Sequence, residues 1–208
     1  MVPGVPGGHT TLRPDPAVSD GSGASDAADE RSAVDAVLAG DRDAFRVLVD
    51  RESAAVIRAC HRILGDIHEA EDAAQEAFVT AFRSLAGWRA DGPFGAWLTR
   101  IAVRISLRRI QKRRDVTWID PADPDRPIDV PGGPDPAVTS LRAERAASVR
   151  AAVARLDEPY RETVALRFFG DLSLDEIATQ TGRPLGTVKT HLRRGLIRLR
   201  GAVEGGAT

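Results

Sequence analysis

The sequence predicts an all-α protein made of two small helical domains joined by a flexible linker. From about residue 32 onwards, apolar residues recur three, four or seven positions apart, as on one face of a helix, and no alternating strand-like run competes with them. A segment rich in Pro, Gly and Asp, residues 115–140, interrupts this pattern and predicts the linker. At 208 residues the chain has room for one or two domains.

The first predicted domain spans residues 32–114. Asp41 follows Gly40 and is the expected N-cap where two helices meet. A further helix precedes a turn at residues 87–95, and its expected inward stripe consists of Ala74, Phe78 and Phe82. A last helix then runs to the end of the domain.

Residues 1–31 are rich in Gly, Pro, Ser, Asp and Ala and hold few large apolar groups. Such a segment cannot bury enough surface to offset its ordering entropy, so the sequence predicts a disordered tail. The second domain is predicted at residues 141–203, and a short tail at 204–208 follows it.

Charge is sorted into blocks, although the net charge is only −1. Residues 66–76 carry five acids and no Lys or Arg, whereas residues 100–114 carry seven bases and residues 182–200 carry six, both without an acid. The predicted linker has six Asp against one Arg. Two basic stretches around an acidic linker predict two modules that each contact a polyanion. For either stretch alone, an ordinary solvated helix face is an equally good interpretation.

The second basic stretch lies in a helix-turn-helix pattern. Ser173 and Glu176 fit a capping box at the start of its first helix, and Pro184 opens the second. If Val188 and Leu192 face inwards, the side chains available to DNA are those of Thr187, Lys189, Thr190, His191, Arg193 and Arg194. The alternative is an αα-hairpin that only packs.

Gly195 lies inside the second of these helices. A glycine there costs ~1 kcal/mol relative to Ala, so a kinked or frayed helix end is expected.

The same stretch, SLDEIATQTGRPLGTVKTHLRRGLIRLR, resembles region 4 of the small extracytoplasmic-function (ECF) group of bacterial RNA polymerase sigma factors. In the first domain, EAEDAAQEAFVTAFRSL and FGAWLTRIAVRISLRRIQKRR are similar to two helices of sigma region 2. The motifs and the linker agree in order over residues 32–203. The resemblance implies a sigma factor that recognises the −35 promoter element as duplex and melts the −10 element.

The resemblance also implies a polymerase-binding surface. Asp72, Gln75 and Glu76 match the family's Asp-x-x-Gln-Glu signature, which implies contact with the β′ clamp helices of core RNA polymerase, whose β subunit is a further expected partner. An acidic helix face can dock on a basic partner. On charge alone, a solvated acidic face explains these residues as well.

In the family, the loop at residues 87–95 captures a base flipped from the melted strand. Here Trp88 offers stacking and Arg89 a cation, whereas Trp97 is expected in the core. The strand path would be lined by Arg100, Arg104, Arg108, Arg109 and Lys112. Arg104 stands where the family commonly has Asn, and an Arg grips phosphate or prefers guanine.

A second interpretation of the C-terminal domain stays open. The string TVKTHL also resembles the helix-turn-helix of LuxR-type regulators, which would make the chain a stand-alone operator-binding protein. The first domain weighs against this alternative, because LuxR-type proteins carry a receiver or ligand-binding domain there. The sigma resemblance further implies an anti-sigma partner.

No enzyme motif is present: the sequence has no Gly-rich phosphate loop, no H-E-x-x-H and no G-x-S-x-G. We therefore predict no enzyme activity and no cofactor. The ligand-like set Cys60, His61, His68 and Asp72 is interpreted as a buried cysteine beside exposed histidines, and no metal is predicted. A single cysteine, no export signal and no run of ~18 apolar residues predict a cytoplasmic protein without a membrane span.

Overall fold

The computed structural model describes residues 22–117 and 136–204. Within these ranges the chain forms eight α-helices and no strand. The helices are α1 (Ser22–Leu38), α2 (Arg42–Leu64), α3 (Ile67–Arg83), α4 (Phe94–Thr117), α5 (Pro136–Arg155), α6 (Tyr160–Phe168), α7 (Leu174–Thr181) and α8 (Leu185–Glu204). Helices α1–α4 form the first domain and α5–α8 the second, which confirms the predicted fold class. None of the helices in the described ranges is long and apolar enough to span a bilayer.

Side-chain caps set the starts of the first helices. Asp41 Oδ1 accepts from the amide of Asp43 at 3.0 Å, which confirms the predicted N-cap of α2. Asp66 caps α3 in the same way through the amide of Glu69, at 2.9 Å. Between them Gly65, with φ 82°, ends α2 in the left-handed conformation that glycine adopts without a Cβ clash.

Helix α3 buries mainly an alanine face, which includes Ala74 as predicted, and Phe78 of the predicted stripe packs partly buried against the same core. Its buried residues are Ala70, Ala73, Ala74, Ala77 and Ala81. Phe82, expected on the inward stripe, is 40% exposed and meets Phe45 edge-on at 5.1 Å between ring centroids. The prediction was wrong there because small side chains, not large ones, let α3 lie close against its neighbours.

Two helices begin earlier than the sequence predicts. Helix α1 starts at Ser22, inside the predicted tail, and buries Val34 and Val37 in the first domain. Helix α5 starts at Pro136, inside the predicted linker. Contacts to other helices, which composition does not report, stabilise α1. The remainder of the tail prediction (1–21), of the linker prediction (118–135) and of the C-terminal tail (205–208) lies outside the described residues.

The helix-turn-helix pair is α7 and α8. Its capping box is confirmed: the amide of Glu176 donates to Ser173 Oγ at 3.2 Å, and the amide of Ser173 donates to Glu176 Oε2 at 2.8 Å. Helix α8 continues unbroken through Gly195 to Glu204, so the fraying expected there is wrong. A Cβ at Gly195 would lie 2.7 Å from Cγ2 of Val164 in α6, so glycine is the residue that permits this close approach.

The two domains pack against each other in the described structure. Their shared apolar cluster joins Ile63, Ala96, Val103 and Leu107 of the first domain to residues of the second that include Val153, Leu156, Ala165 and Leu166. At the edge, Arg62 pairs with Asp171 and donates to the carbonyl of Phe169 at 3.2 Å. Helix α4 therefore has one side against the first domain and another against the second.

Candidate nucleic-acid interface

Helix α4 carries a stripe of bases four positions apart: Arg100, Arg104, Arg108 and Lys112. Arg104, Arg108 and Lys112 are exposed, while Arg100 is half-buried. The predicted strand-binding residues thus share one face, apart from Arg109, which lies on the neighbouring face.

The first two arginines of this stripe pair with a buried carboxylate of the second domain. Glu162 Oε1 lies 3.1 Å from Nε of Arg104 and 3.3 Å from Nε of Arg100. Its other oxygen lies 3.1 Å from Nη2 of Arg183, in the turn between α7 and α8. The Glu162 side chain is only 6% exposed. Burial lowers the pKa of the Arg100 guanidinium, and the charge of Glu162 opposes that shift.

The predicted polymerase-binding residues lie on one exposed face of α3. Asp72, Gln75 and Glu76 are all exposed and stand at helical spacing. Glu76 Oε2 also pairs with Nη2 of Arg109 at 2.7 Å. One ion pair therefore joins the predicted polymerase surface to the predicted DNA surface.

The loop between α3 and α4 holds its two predicted residues differently. Trp88 is half-buried against Phe94, edge to face with 5.9 Å between ring centroids. Arg89 points outwards, with a side chain 79% exposed and paired with Asp91 at 3.0 Å. The Trp88 ring is therefore held by packing, whereas the Arg89 side chain is exposed to solvent.

A cavity of about 230 Å³ lies between α3 and α4. Its lining combines an aromatic ring, two arginines and small polar groups: Thr80, Ser84, Gly87, Trp97, Arg100, Ile101 and Arg104. Trp97 was expected in the core. It packs against the core of the first domain, and it also lines this cavity. Aromatic and arginine groups are the ones on which single-stranded bases stack.

On α8 the predicted residues divide into an outer and an inner set. Lys189, Thr190, Arg193 and Arg194 are exposed, while Thr187 and His191 are partly buried. Val188 and Leu192 are buried, as predicted. In the part of the chain that the structure describes, no carboxylate pairs with Lys189, Arg193 or Arg194.

His191 is held on the inner side of α8. Its ring meets that of Tyr160 edge-on at 5.7 Å between centroids. Burial lowers the pKa of His191, and the charges of Arg183 and Arg194 lower it further. The contact with Tyr160 and the lowered pKa both favour the neutral imidazole at this position.

Both basic surfaces fall in segments that match known families. The family model for Sigma-70 region 2 matches residues 48–116, and that for Sigma-70, region 4 matches residues 146–199. The ECF RNA polymerase sigma factor SigW of Bacillus subtilis is 34% identical over 179 residues, covering 79% of this chain and 91% of the relative. The chain belongs to the extracytoplasmic-function group of RNA polymerase sigma factors.

Other relatives agree. The RNA polymerase sigma-H factor of Pseudomonas aeruginosa is 34% identical over 173 residues, covering 79% of this sigma factor and 89% of the relative. The ECF RNA polymerase sigma-E factor of Escherichia coli is 32% identical over 169 residues, with coverages of 77% and 87%. The solved structure of CnrH in complex with the cytosolic domain of CnrY shares the fold, with a TM-score of 0.53, 23% identity and coverages of 86% and 97%.

These matches decide between the two interpretations of the second domain. Because the first domain of this sigma factor matches Sigma-70 region 2, the LuxR-type alternative is set aside. The match begins at residue 48, so α1 lies outside it.

The four ligand-like residues of this sigma factor, Cys60, His61, His68 and Asp72, do not come together as a metal site in the described structure. Cys60 is buried and His61 is exposed, and burial raises the pKa of the Cys60 thiol. Among the residues described, no three His, Cys, Asp or Glu side chains are grouped to hold a metal ion.

Sequence reasoning missed three residues that shape the interface. Glu162 and Arg183 pair with or lie beside the predicted DNA-binding arginines, and Glu30 accepts from the first amide of α4. Arg183 lies in the turn of the helix-turn-helix motif, but its pairing with Glu162 is not part of any local pattern. Their partners lie far away in the chain, so a pattern of neighbouring residues carries no signal for them.

Proposed function

We propose that this sigma factor binds core RNA polymerase through the Asp72, Gln75 and Glu76 face of α3 and directs promoter-specific initiation with α4 and α8. The observation that supports this most is the presence of two separate basic helix faces in segments that match sigma regions 2 and 4. We assign region 2 to residues 32–114 together with α1, and region 4 to residues 141–203.

In this proposal α8 reads the −35 element as duplex. A recognition helix enters the major groove with its exposed side chains towards the base edges. Lys189, Arg193 and Arg194 supply cations there, and an Arg can bridge O6 and N7 of guanine. The Thr190 hydroxyl donates to the Gly186 carbonyl at 2.9 Å, so its methyl group and the acceptor side of its oxygen are left for a base.

Helix α4 and its preceding loop hold the melted −10 strand. The cavity beside Trp97 and Arg100 accepts a flipped base, and Arg89, Arg108, Arg109 and Lys112 contact the backbone. Melting needs no covalent chemistry, because the separated strand gains stacking and ionic contacts that the duplex cannot make. We therefore propose that the protein is a binding factor without enzyme activity.

The pairing of Arg100 and Arg104 with Glu162 implies that the two domains have to move apart before α4 binds the strand. A DNA phosphate and the Glu162 carboxylate compete for the same guanidinium groups, so the second domain has to leave this part of α4 before the strand binds. The two promoter elements lie more than one helical turn (~34 Å) apart, which also requires the domains to separate. A Pro-rich chain of the length that separates α4 from α5 reaches towards ~55 Å when extended, against about 23 Å as a coil.

The proposed partners are the β′ clamp helices and the β subunit of core polymerase, promoter DNA and an anti-sigma factor. The fold neighbour CnrH is seen bound to the cytosolic domain of CnrY, which supports a protein partner of this kind. We propose that the protein acts in the cytoplasm, where core polymerase is found.

The proposal is tested by in-vitro transcription with bacterial core enzyme on a pool of genomic fragments, with and without the full chain. New discrete start sites are expected, and they should be lost in the Asp72→Ala, Gln75→Ala double variant. Glu71→Ala is the matched control, since Glu71 is an exposed acid one turn before Gln75 on the same helix that does not belong to the three assigned residues.

The opposite outcome is equally concrete. If no start sites appear with core enzyme while the chain alone retains DNA fragments, the protein acts without polymerase and the proposal fails. Loss of start sites in Glu71→Ala as well would mean that the acidic charge of this face, and not the assigned residues in particular, is needed for the sigma activity.

A further inference from the structure

The first turn of α4 has no cap from its own neighbourhood. The helix begins at Phe94, directly after Gly92 and Pro93, and neither of these residues has a side-chain acceptor. The amide of Phe94 instead donates to Oε2 of Glu30 at 2.8 Å. Glu30 lies in α1, 64 residues earlier in the chain. A carboxylate at this position also faces the positive end of the helix dipole.

Glu30 is itself held in place. Its residue is 8% exposed, and Oε1 pairs with Nη2 of Arg51 in α2 at 2.7 Å. Nε of the same arginine donates to Glu52 at 2.8 Å. The Glu52 carboxylate in turn lies over the α4 backbone, 2.5 Å from where a Cβ on Gly95 would be. Both α1 and α2 thus contact the first turn of α4.

The anchored residue carries the aromatic groups of the proposed strand site. Phe94 is fully buried, and its ring lies 5.9 Å from that of Trp88 and 5.7 Å from that of Trp97, between centroids. Trp88 belongs to the loop, and Trp97 lines the cavity beside Arg100. A shift of the Phe94 backbone would therefore move both tryptophans.

We propose that Glu30 is a positioning residue for capture of the promoter strand. Through the amide of Phe94 it holds Trp88 and Trp97 in register with Arg100 and makes no contact with DNA itself. This inference rests on the proposed function of α4, and it gives a role in promoter opening to α1, which lies outside the segment matched to region 2.

The test compares open-complex yield of the holoenzyme on a duplex promoter, followed by 2-aminopurine fluorescence in the −10 element. Glu30→Ala should lower the yield about tenfold, since it removes a helix cap and an ion pair. Glu30→Gln should fall between this variant and the wild type, because its amide oxygen still accepts from Phe94. Asp29→Ala is the matched control, as Asp29 is the exposed acid next to Glu30.

Affinity for core enzyme is measured alongside and should be the same in all four proteins. Equal yields for Glu30→Ala and Asp29→Ala would overturn the proposal. A parallel loss of core affinity would also overturn it, because Glu30 would then be a general folding residue. If Glu30→Ala does not fold, Gly95→Ala takes its place, since a Cβ against Glu52 displaces the same turn.

A readout without DNA separates this inference from the function on which it rests. Acrylamide quenching of tryptophan fluorescence is measured on the free chain with Trp118, outside the described residues, replaced by Phe. Glu30→Ala should increase the quenching of Trp88 and Trp97, whereas Asp29→Ala should not. Start sites made by the wild-type holoenzyme test the sigma function, and this quenching difference tests the Glu30 anchor. Unchanged quenching would overturn the anchor.

Discussion

The two basic helices of this sigma factor differ in how far the protein itself occupies their charges. On α4, Arg100 and Arg104 pair with Glu162, Arg109 pairs with Glu76 and Arg113 pairs with Glu69. On α8, Lys189, Arg193 and Arg194 are exposed and meet no carboxylate among the described residues. The α8 surface is thus available to a duplex at once, whereas most of the arginines of α4 become available only after ion pairs are broken.

The difference follows from where each helix lies. Helix α4 lies between the two domains, and its apolar face, including Val103 and Leu107, packs against the second domain. A basic side chain next to such a contact needs a partner, because an unpaired buried charge is costly. Helix α8 has only its inner face in the core, so its outer charges stay in water. We expect the solvated surface to bind first and the paired one to respond to domain separation.

Replacing Arg193 and Arg194 with Ala removes two cations from the exposed surface of α8 and should have the largest effect on DNA binding. Each lost base or phosphate contact costs about 1–3 kcal/mol, so holoenzyme binding to duplex promoter should weaken about 100-fold and its salt dependence should flatten. Fluorescence anisotropy at several salt concentrations checks both. Arg200→Ala is the control, as an exposed arginine of the same helix outside the assigned set. An equal loss in that variant would contradict the assignment to these two residues.

Glu162→Gln should make the basic surface of α4, like that of α8, free of ion pairs to the buried carboxylate. It releases Arg100 and Arg104, so the free chain should bind promoter fork DNA about tenfold more tightly. The same change leaves three arginines without their buried carboxylate and should lower the free energy of unfolding by about 3 kcal/mol. Anisotropy and urea denaturation measure the two effects.

Glu158→Gln is the matched control for that variant, because Glu158 is exposed and pairs with Arg161, and a Gln there still has an oxygen to accept from the amide of Glu162. This variant should leave both the affinity for fork DNA and the free energy of unfolding unchanged. Unaltered DNA binding by a folded Glu162→Gln protein would show that the ion pairs do not limit access to α4.

Gly195→Ala tests how closely α8 lies against α6, the helix that carries Glu162. Although Ala is the better helix former, its Cβ would lie 2.7 Å from Val164, and such overpacking should destabilise the protein by about 1–3 kcal/mol. At Gly186, on the same helix, nothing lies within 4 Å, so Gly186→Ala should be stabilising by about 0.5–1 kcal/mol. Thermal unfolding of both variants measures the two changes in stability. If both changes had the same sign, the close approach of α8 to Val164 would be contradicted.

The smallest expected effect is a pH dependence at His191. Because its pKa is lowered in the folded protein, the unfolded chain binds more protons as the pH falls through the ordinary value of 6.5. The free energy of unfolding should therefore decrease on acidification, and less so in His191→Gln. Urea denaturation of both proteins at about pH 7.5 and about pH 5.5 gives the difference. An identical slope would contradict the shifted pKa.

Local sequence patterns were sufficient for much of this description. The Asp41 cap and the capping box of Ser173 and Glu176 were predictable because each joins groups within three residues of one another. The inward positions of Val188 and Leu192 follow from helical periodicity in the same way. The family resemblance then came from the order of two such patterns along the chain.

Tertiary structure decided what those patterns could not. The Glu30 anchor, the pairing of Glu162 with Arg100 and the close approach at Gly195 each join residues far apart in sequence. Helical periodicity identifies which face of a helix is apolar, but it does not say which other helix will cover that face. The sequence by itself therefore determined two helical modules, their family and their basic faces. Only packing decided which of those charges stay in water, because a side chain's partners depend on what lies opposite it in space.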